Sequence, residues 1–199
     1  MYESIMNELE QKAYDSILHP NAAHDTGHLK RVALYASELM DILGGTKREK
    51  ELTYIAGLFH DVIRYPTEGH DQQSAEETKI ILPNYGFNSE DIDAIYDAIK
   101  SHNKFPVWGE NKLVDAIVLA DKLFEANGAY ICFRRAMFMA QTPDDVRQKQ
   151  TAINATLDES KVRMENFNAS KYPHQFQKLA YSQQKWQEQF KDALENKDD

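Results

Sequence analysis

Apolar residues return every three or four positions along most of this chain, and short alternating runs bounded by turn residues are scarce, so the pattern predicts an all-α protein. In TGHLKRVALYASELMDILGG, Leu29, Val32, Ala33, Ala36, Leu39, Met40 and Leu43 form one stripe, and Gly44-Gly45 supplies a C-terminal stop. From Glu49 to Tyr65 the chain is apolar on most sides, with Leu52, Ile55, Ala56, Leu58, Phe59, Val62 and Ile63. That predicts a central buried helix ended by Pro66. FNSEDIDAIYDAIKSH opens on capping residues Asn88 and Ser89 and carries Ile92, Ile95, Tyr96 and Ile99 at helical spacing, with His102 continuing the stripe. NKLVDAIVLADKLFEA turns Val114, Ile117, Val118 and Phe124 inward, and Asp121 takes a position on that face where leucine is expected.

Beyond Asn127-Gly128 the helical character continues. AYICFRRAMFMA is rich in large apolar groups, Thr142 and Pro143 read as an N-cap and first helical residue, and the polar stretch to Asn168 reads as an exposed helix. A last helix carries Phe176, Leu179, Trp186, Phe190 and Leu194 and is expected to pack back on the body, while ENKDD frays. With no internal repeat or Gly/Pro/Ser-rich linker, residues 1–199 read as a single domain.

Charge and cysteine usage narrow the function classes. A net charge of -9 argues against coating nucleic acid or an anionic membrane, since both demand a basic surface. The single cysteine, Cys132, cannot form an intrachain disulfide, which fits a reducing compartment. MYESIMNELEQKAYD lacks the basic start and apolar core of a signal peptide, and runs such as AIVLA and AYICF fall short of a membrane span. The expectation is a cytoplasmic protein that binds neither extended nucleic acid nor membrane.

Against this background, LFHDVIRYP is anomalous, because it sets His60 and Asp61 side by side in a segment made for burial. A buried carboxylate without a partner is costly enough that it finds a counter-charge or loses its own. Asp121 poses the same problem on a later helix, and His28 stands in the first turn of another. Two histidines and two aspartates on helices of one bundle suit a divalent transition metal, which offsets both carboxylates and accepts both imidazoles.

The order of these residues resembles the signature of the HD superfamily of metal-dependent phosphohydrolases: a histidine (His28 in HDTGHLKRV), an adjacent pair (His60 and Asp61 in AGLFHDVIRYP) and a distant aspartate (Asp121 in IVLADKLFEANGA). ADKLFEANGAY is also similar to the DADRLDAIGA pattern of small bacterial HD hydrolases. The resemblance covers roughly residues 22–140 and leaves 141–199 as a C-terminal helical elaboration. It implies an HD-domain helical bundle with additional C-terminal helices, holding one divalent ion (Mn, Co, Ni, Fe, Zn or Mg) through His28, His60, Asp61 and Asp121. It further implies hydrolysis of a small phosphorylated substrate, nucleotide-like, by water that the metal acidifies, with Asp61 both ligand and catalytic group.

Arg64, His102 and Lys122 are the candidate substrate-binding residues. For His102 a satisfied helix-end histidine is an equal reading, and for Arg64 a surface salt bridge. His24 and Asp25 read as helix capping or as a pair orienting His28. Lys122 matches an arginine of the related pattern, Arg134 and Arg135 are expected to face phosphate or solvent, and His19 and His174 carry no assignment. Arg64 stands where guanosine tetraphosphate hydrolases place a Glu-Asp pair, which argues against that substrate, and the GYP element of the cyclic dinucleotide branch is missing. Two alternatives stay open. One is a dinuclear hydrolase or oxygenase recruiting His70 and His102, and the other is a non-catalytic, nucleotide-binding sensor module.

Overall fold

The protein is all-α in a computed structural model that describes residues 3–17, 24–64, 68–104, 108–125 and 172–195, with single positions or pairs at 154, 157, 158, 161, 162 and 165. The chain divides into two compact units, Met1–Glu125 and Ala126–Asp199. In the first, a 3-10 turn (Glu3–Ile5) leads into α1 (Met6–Asp15), followed by α2 (Thr26–Ile42), α3 (Lys47–Phe59), α4 (His70–Ile81), a 3-10 turn (Leu82–Tyr85), α5 (Ser89–Ser101) and α6 (Lys112–Val118). Helix α6 runs directly into a π-helical segment, Leu119–Glu125.

The predicted stripe of α2 is buried from Leu29 to Met40. Its end is a Schellman arrangement in which the Gly44 and Gly45 amides donate to the carbonyls of Asp41 and Met40, with Gly44 at φ 67°. Helix α3 starts on a reciprocal capping box between Thr46 and Glu49, and α5 starts on Asn88, whose side chain accepts from the Asp91 amide. Arg48 of α3 pairs with the fully buried Asp91 of α5, tying those two helices together.

Helices α2 and α3 make the most extensive packing of the unit. They approach so closely that a Cβ on Gly57 would stand 2.6 Å from the Ala33 Cα. Glycine is required at Gly57 by that backbone contact rather than by a turn.

Two expectations are corrected. The central helix does not continue to Tyr65. It stops at Phe59, and His60 occupies its C-cap. The cause is local: the His60 imidazole donates from Nδ1 to the Gly57 carbonyl at 2.8 Å, claiming an acceptor that a continuing helix would offer to the Asp61 amide. Ser74 of α4 then pins the chain, its hydroxyl accepting from the Ile63 amide and donating to the Ile63 carbonyl, both at 3.1 Å. The second correction concerns Phe124, expected inside but only half-buried, while Leu123 and Glu125 are buried. The π winding of Leu119–Glu125 changes the residue angle and shifts which positions face the core.

The described part of the second unit is mainly a helix over His174–Glu195. Phe176 is buried together with Ala180 and Gln187, Leu179, Trp186 and Phe190 are half-buried, and Trp186 stacks on Phe190 with centroids 5.2 Å apart. Thr142, Pro143, Arg134, Arg135, Cys132 and His19 lie outside the described residues, as does most of the polar stretch to Asn168.

Candidate metal centre

Helix ends, not helix middles, supply the imidazoles. His28 lies in the first turn of α2, held there by the Asp25 side chain, which accepts its backbone N–H at 2.8 Å. His70 is the first residue of α4, and His60 and His102 are the C-caps of α3 and α5. His102 repeats the device seen at His60: its Nδ1 donates to the carbonyl three residues back, that of Ile99, at 2.6 Å. A carbonyl can only accept, so in neutral His60 and His102 the proton sits on Nδ1 and the Nε2 lone pair points forward.

All these rings gather on one carboxylate. Asp61 turns Oδ1 toward His70 Nε2 (3.3 Å) and His102 Nε2 (3.5 Å), and Oδ2 toward His60 (3.6 Å), His28 (3.7 Å) and His24 (3.9 Å). Five of the six histidines among the described residues therefore stand within 4.0 Å of Asp61, which is itself 4% exposed. Arg64 Nε approaches Oδ2 at 3.5 Å.

Asp121 completes the other side. Its Oδ1 lies 3.7 Å from His28 Nε2 and 4.0 Å from His60 Nε2, while its Oδ2 takes the Lys122 ammonium at 2.6 Å. His28 and His60 face each other with Nε2 atoms 3.1 Å apart. Behind His28, Glu125 Oε2 lies 3.3 Å from Nδ1, and Glu125 Oε1 accepts two bonds from Arg31, at 3.0 and 2.7 Å.

Protonation follows from these neighbours. Burial opposes charge on His28, but Asp61, Glu125 and Asp121 outweigh it and raise its pKa to about 9. Burial dominates at His60 and His24, which fall to about 4 and about 2 despite the nearby carboxylates. Burial alone would also raise Asp61 and Asp121, yet His60, His102 and His28 around the first, and Lys122, His60 and His28 around the second, hold both well below the ordinary carboxylate range.

The donor set fits a divalent cation. Metal–ligand distances of about 2.1 Å put neighbouring donors roughly 3 to 3.4 Å apart. Here the nitrogen–nitrogen separation, 3.1 Å, falls in that range, and the nitrogen–oxygen separations, 3.6 to 4.0 Å, are wider than a bound ion would set. Asp61 Oδ1, His102 Nε2 and His28 Nδ1 are buried without a hydrogen bond, which is expensive unless something else satisfies them. His28, His60 and Asp121 form one group able to hold an ion, and His60, Asp61 and His102 a second.

Eight of the residues singled out in the sequence thus land at one place, His28, His60, Asp61, Asp121, His70, His102, Arg64 and Lys122, while Arg134 and Arg135 lie outside the described residues. Lys122 pairs with the outer oxygen of Asp121, Asp25 takes the helix-capping role read for it in the sequence, and His24 faces Asp61. Glu125 and Arg31 were not anticipated. The available signal was spacing, because Glu125 lies four residues after Asp121 and Arg31 three after His28, each on the face of its ligand.

Fold and site together define a helical protein with a buried His/Asp cluster able to hold a metal ion. A family model of the HD domain matches residues 26–125, and the chain belongs to the HD-domain family. No curated protein matches it. Among solved structures it is similar to Bacillus subtilis YpgQ in complex with ADP (TM-score 0.67, 19% identity, covering 95% of each chain). It is also similar to a further crystal structure of Bacillus subtilis YpgQ (TM-score 0.68, 18% identity, 98% of this chain and 95% of that one). A protein from Lactobacillus plantarum matches with TM-score 0.67 and 20% identity, over 97% of this chain and 96% of that one. These likenesses establish a shared fold. Among the described residues no helix is long and apolar enough to cross a membrane.

Proposed function

We propose that this protein is a metal-dependent phosphohydrolase that cleaves a phosphate ester of a nucleotide or similar small molecule. The observation that carries the reading is the convergence of His28 Nε2, His60 Nε2, Asp61 Oδ2 and Asp121 Oδ1, whose nitrogen–oxygen separations are 3.6 to 4.0 Å. Two imidazoles and two carboxylates suit Mn, Co, Ni, Fe or Zn, and less comfortably Mg. A divalent ion bound there acidifies water and polarises a phosphoryl oxygen.

The chain's own residues do the remainder. Asp61, held ionised, would take the proton from the attacking water and return it to the departing ester oxygen, so that the ester P–O bond breaks as the new P–O bond forms. Arg64, whose Nε and Nη1 are buried without a hydrogen bond, can grip the phosphoryl oxygens with its fork of donors. Lys122 keeps Asp121 charged and adds positive potential at the rim. A nucleoside phosphate is the substrate class we favour, supported by the ADP complex of the similarly folded YpgQ. The net charge of -9 and lone Cys132 support a cytoplasmic setting without extended nucleic acid.

The test is elemental analysis of the purified chain alongside a phosphatase and phosphodiesterase panel that includes nucleoside mono-, di- and triphosphates. The expected result is stoichiometric metal and turnover in wild type, with both lost in Asp61→Ala. Stoichiometric metal without turnover of any ester would replace this reading with a nucleotide-binding sensor. Negligible metal in both proteins would remove the site.

A second reading rests on the split loyalty of Asp61, whose Oδ1 faces His70 and His102 while Oδ2 faces His28 and His60. With His70 and His102 beside it, Asp61 would then help hold a second ion, as a dinuclear hydrolase or oxygenase needs. It predicts two metals per chain, falling to one in His102→Ala.

A further inference from the structure

Glu125 belongs to no ligand set, yet it is 4% exposed, carries a charge, and sits behind the ring of a candidate ligand. A buried carboxylate in that position needs a reason, and three geometric facts supply one. Its two oxygens are divided: Oε1 accepts Arg31 Nε at 3.0 Å and Nη2 at 2.7 Å, leaving Oε2 to face His28 Nδ1 at 3.3 Å. Arg31 is free to lie along the start of α2 because residue 27 is glycine. A Cβ on Gly27 would stand 3.0 Å from Arg31 Nη1 and 3.2 Å from Asp25 Oδ1. Finally, Asp121 and Glu125 lie four residues apart on the π-helical segment, and each faces a different nitrogen of the same imidazole, Oδ1 of Asp121 at Nε2 and Oε2 of Glu125 at Nδ1.

His28 is the ligand without a backbone carbonyl to fix its tautomer. His60 and His102 use Gly57 and Ile99 for that purpose, whereas His28 Nδ1 is buried and makes no hydrogen bond of good geometry. To ligate through Nε2 a neutral imidazole must keep its proton on Nδ1, and that N–H needs an acceptor.

We infer that Glu125, clamped by Arg31, is a positioning residue that accepts the Nδ1 proton of His28 and so presents Nε2 to the metal. This rests on the metal-centre reading proposed above. Arg31 fixes which oxygen does the work: it holds Oε1 with two bonds, and Oε2 is the oxygen turned to the ring. The Arg31 charge also offsets the carboxylate when His28 is neutral and ligated, which keeps the loaded site from accumulating a further buried anion.

The test is cobalt(II) titration of wild type, Glu125→Gln, Glu125→Ala and Arg31→Met, read by calorimetry and by the visible cobalt spectrum. Circular dichroism and the thermal midpoint of each metal-free protein accompany it. Outer groups of this kind change metal affinity by about 10- to 100-fold. Glu125→Ala is expected at the upper end with an altered cobalt spectrum, and Glu125→Gln, which keeps an acceptor oxygen, nearer the lower end with the spectrum retained. Arg31→Met is expected to weaken binding less than Glu125→Ala. Wild-type affinity and spectrum in both folded Glu125 variants, with only the metal-free midpoint lowered, would overturn the inference and leave a structural salt bridge. If Glu125→Ala does not fold, Glu125→Gln decides by the same criterion. Absence of cobalt binding in wild type would overturn the metal-centre reading itself, and this inference with it.

Discussion

The Nε2 atoms of His28 and His60 stand 3.1 Å apart, two basic nitrogens aimed at each other inside the protein. A proton between them makes that separation tolerable, and the environment assigns it to His28, raised to about 9, with His60, lowered to about 4, accepting. An ion entering the site replaces that proton.

Metal binding should therefore release about one proton at neutral pH, and apparent affinity should climb roughly tenfold per pH unit until it levels near pH 9. Calorimetry in buffers of differing ionisation enthalpy measures the release directly. An affinity unchanged between pH 6 and pH 8 would contradict the shared proton.

Stability of the metal-free chain should peak near pH 6.5, the unfolded histidine value. His28, raised in the fold to about 9, stabilises fully below pH 6.5 and loses that contribution as pH climbs from 6.5 through 9. His60 and His24, lowered to about 4 and about 2, oppose folding increasingly as pH drops below 6.5, because only the unfolded chain takes up their protons. Thermal midpoints across pH 5 to 9 should decline on both sides, and saturating metal should abolish the alkaline decline.

Gly57→Ala should both destabilise the fold and weaken the site. The added methyl meets backbone atoms of Val32 and Ala33 at 2.6 to 3.2 Å, so no rotamer change relieves it. Overpacking costs about 1–3 kcal/mol, which exceeds the roughly 0.5–1 kcal/mol that alanine gains over glycine in a helix. Separating α2 from α3 also moves His28 from His60, so metal affinity should fall with the thermal midpoint. A midpoint at or above wild type would show that the helices part without cost.

Ser74→Ala leaves the amide and carbonyl of Ile63 without their partner. The expected loss is about 1–3 kcal/mol by denaturant titration. Because that turn carries Asp61 and Arg64, activity should drop by more than the small loss of folded protein explains.

Arg64→Ala tests substrate grip apart from metal binding. Charge-assisted bonds worth about 1.5–3 kcal/mol translate to roughly a 10- to 100-fold fall in kcat/KM, with metal content unchanged. Arg64→Lys should recover part of it. Loss of metal in Arg64→Ala would instead make the guanidinium a support for Asp61, which it approaches at 3.5 Å.

The sequence by itself determined the helical class, most of the buried stripes of α2 and α5, the caps at Asn88 and Gly44, and two of the carboxylates inside, Asp61 and Asp121. It could do so because helical periodicity and the cost of burying an unpartnered carboxylate are local facts, readable from neighbours in the chain. Only the tertiary structure decided how those residues meet. The His60 ring ends α3 at Phe59 by taking the Gly57 carbonyl, where apolar periodicity alone called for a helix through to Tyr65. The π winding after Val118 buries Glu125 in place of Phe124. The gathering of five imidazoles on Asp61 joins residues as far apart in sequence as His24 and His102. Local propensity names the groups that cannot remain alone. Which partner satisfies each is settled by packing, since a hydrogen bond or ion pair forms only where the assembled helices leave two groups within reach.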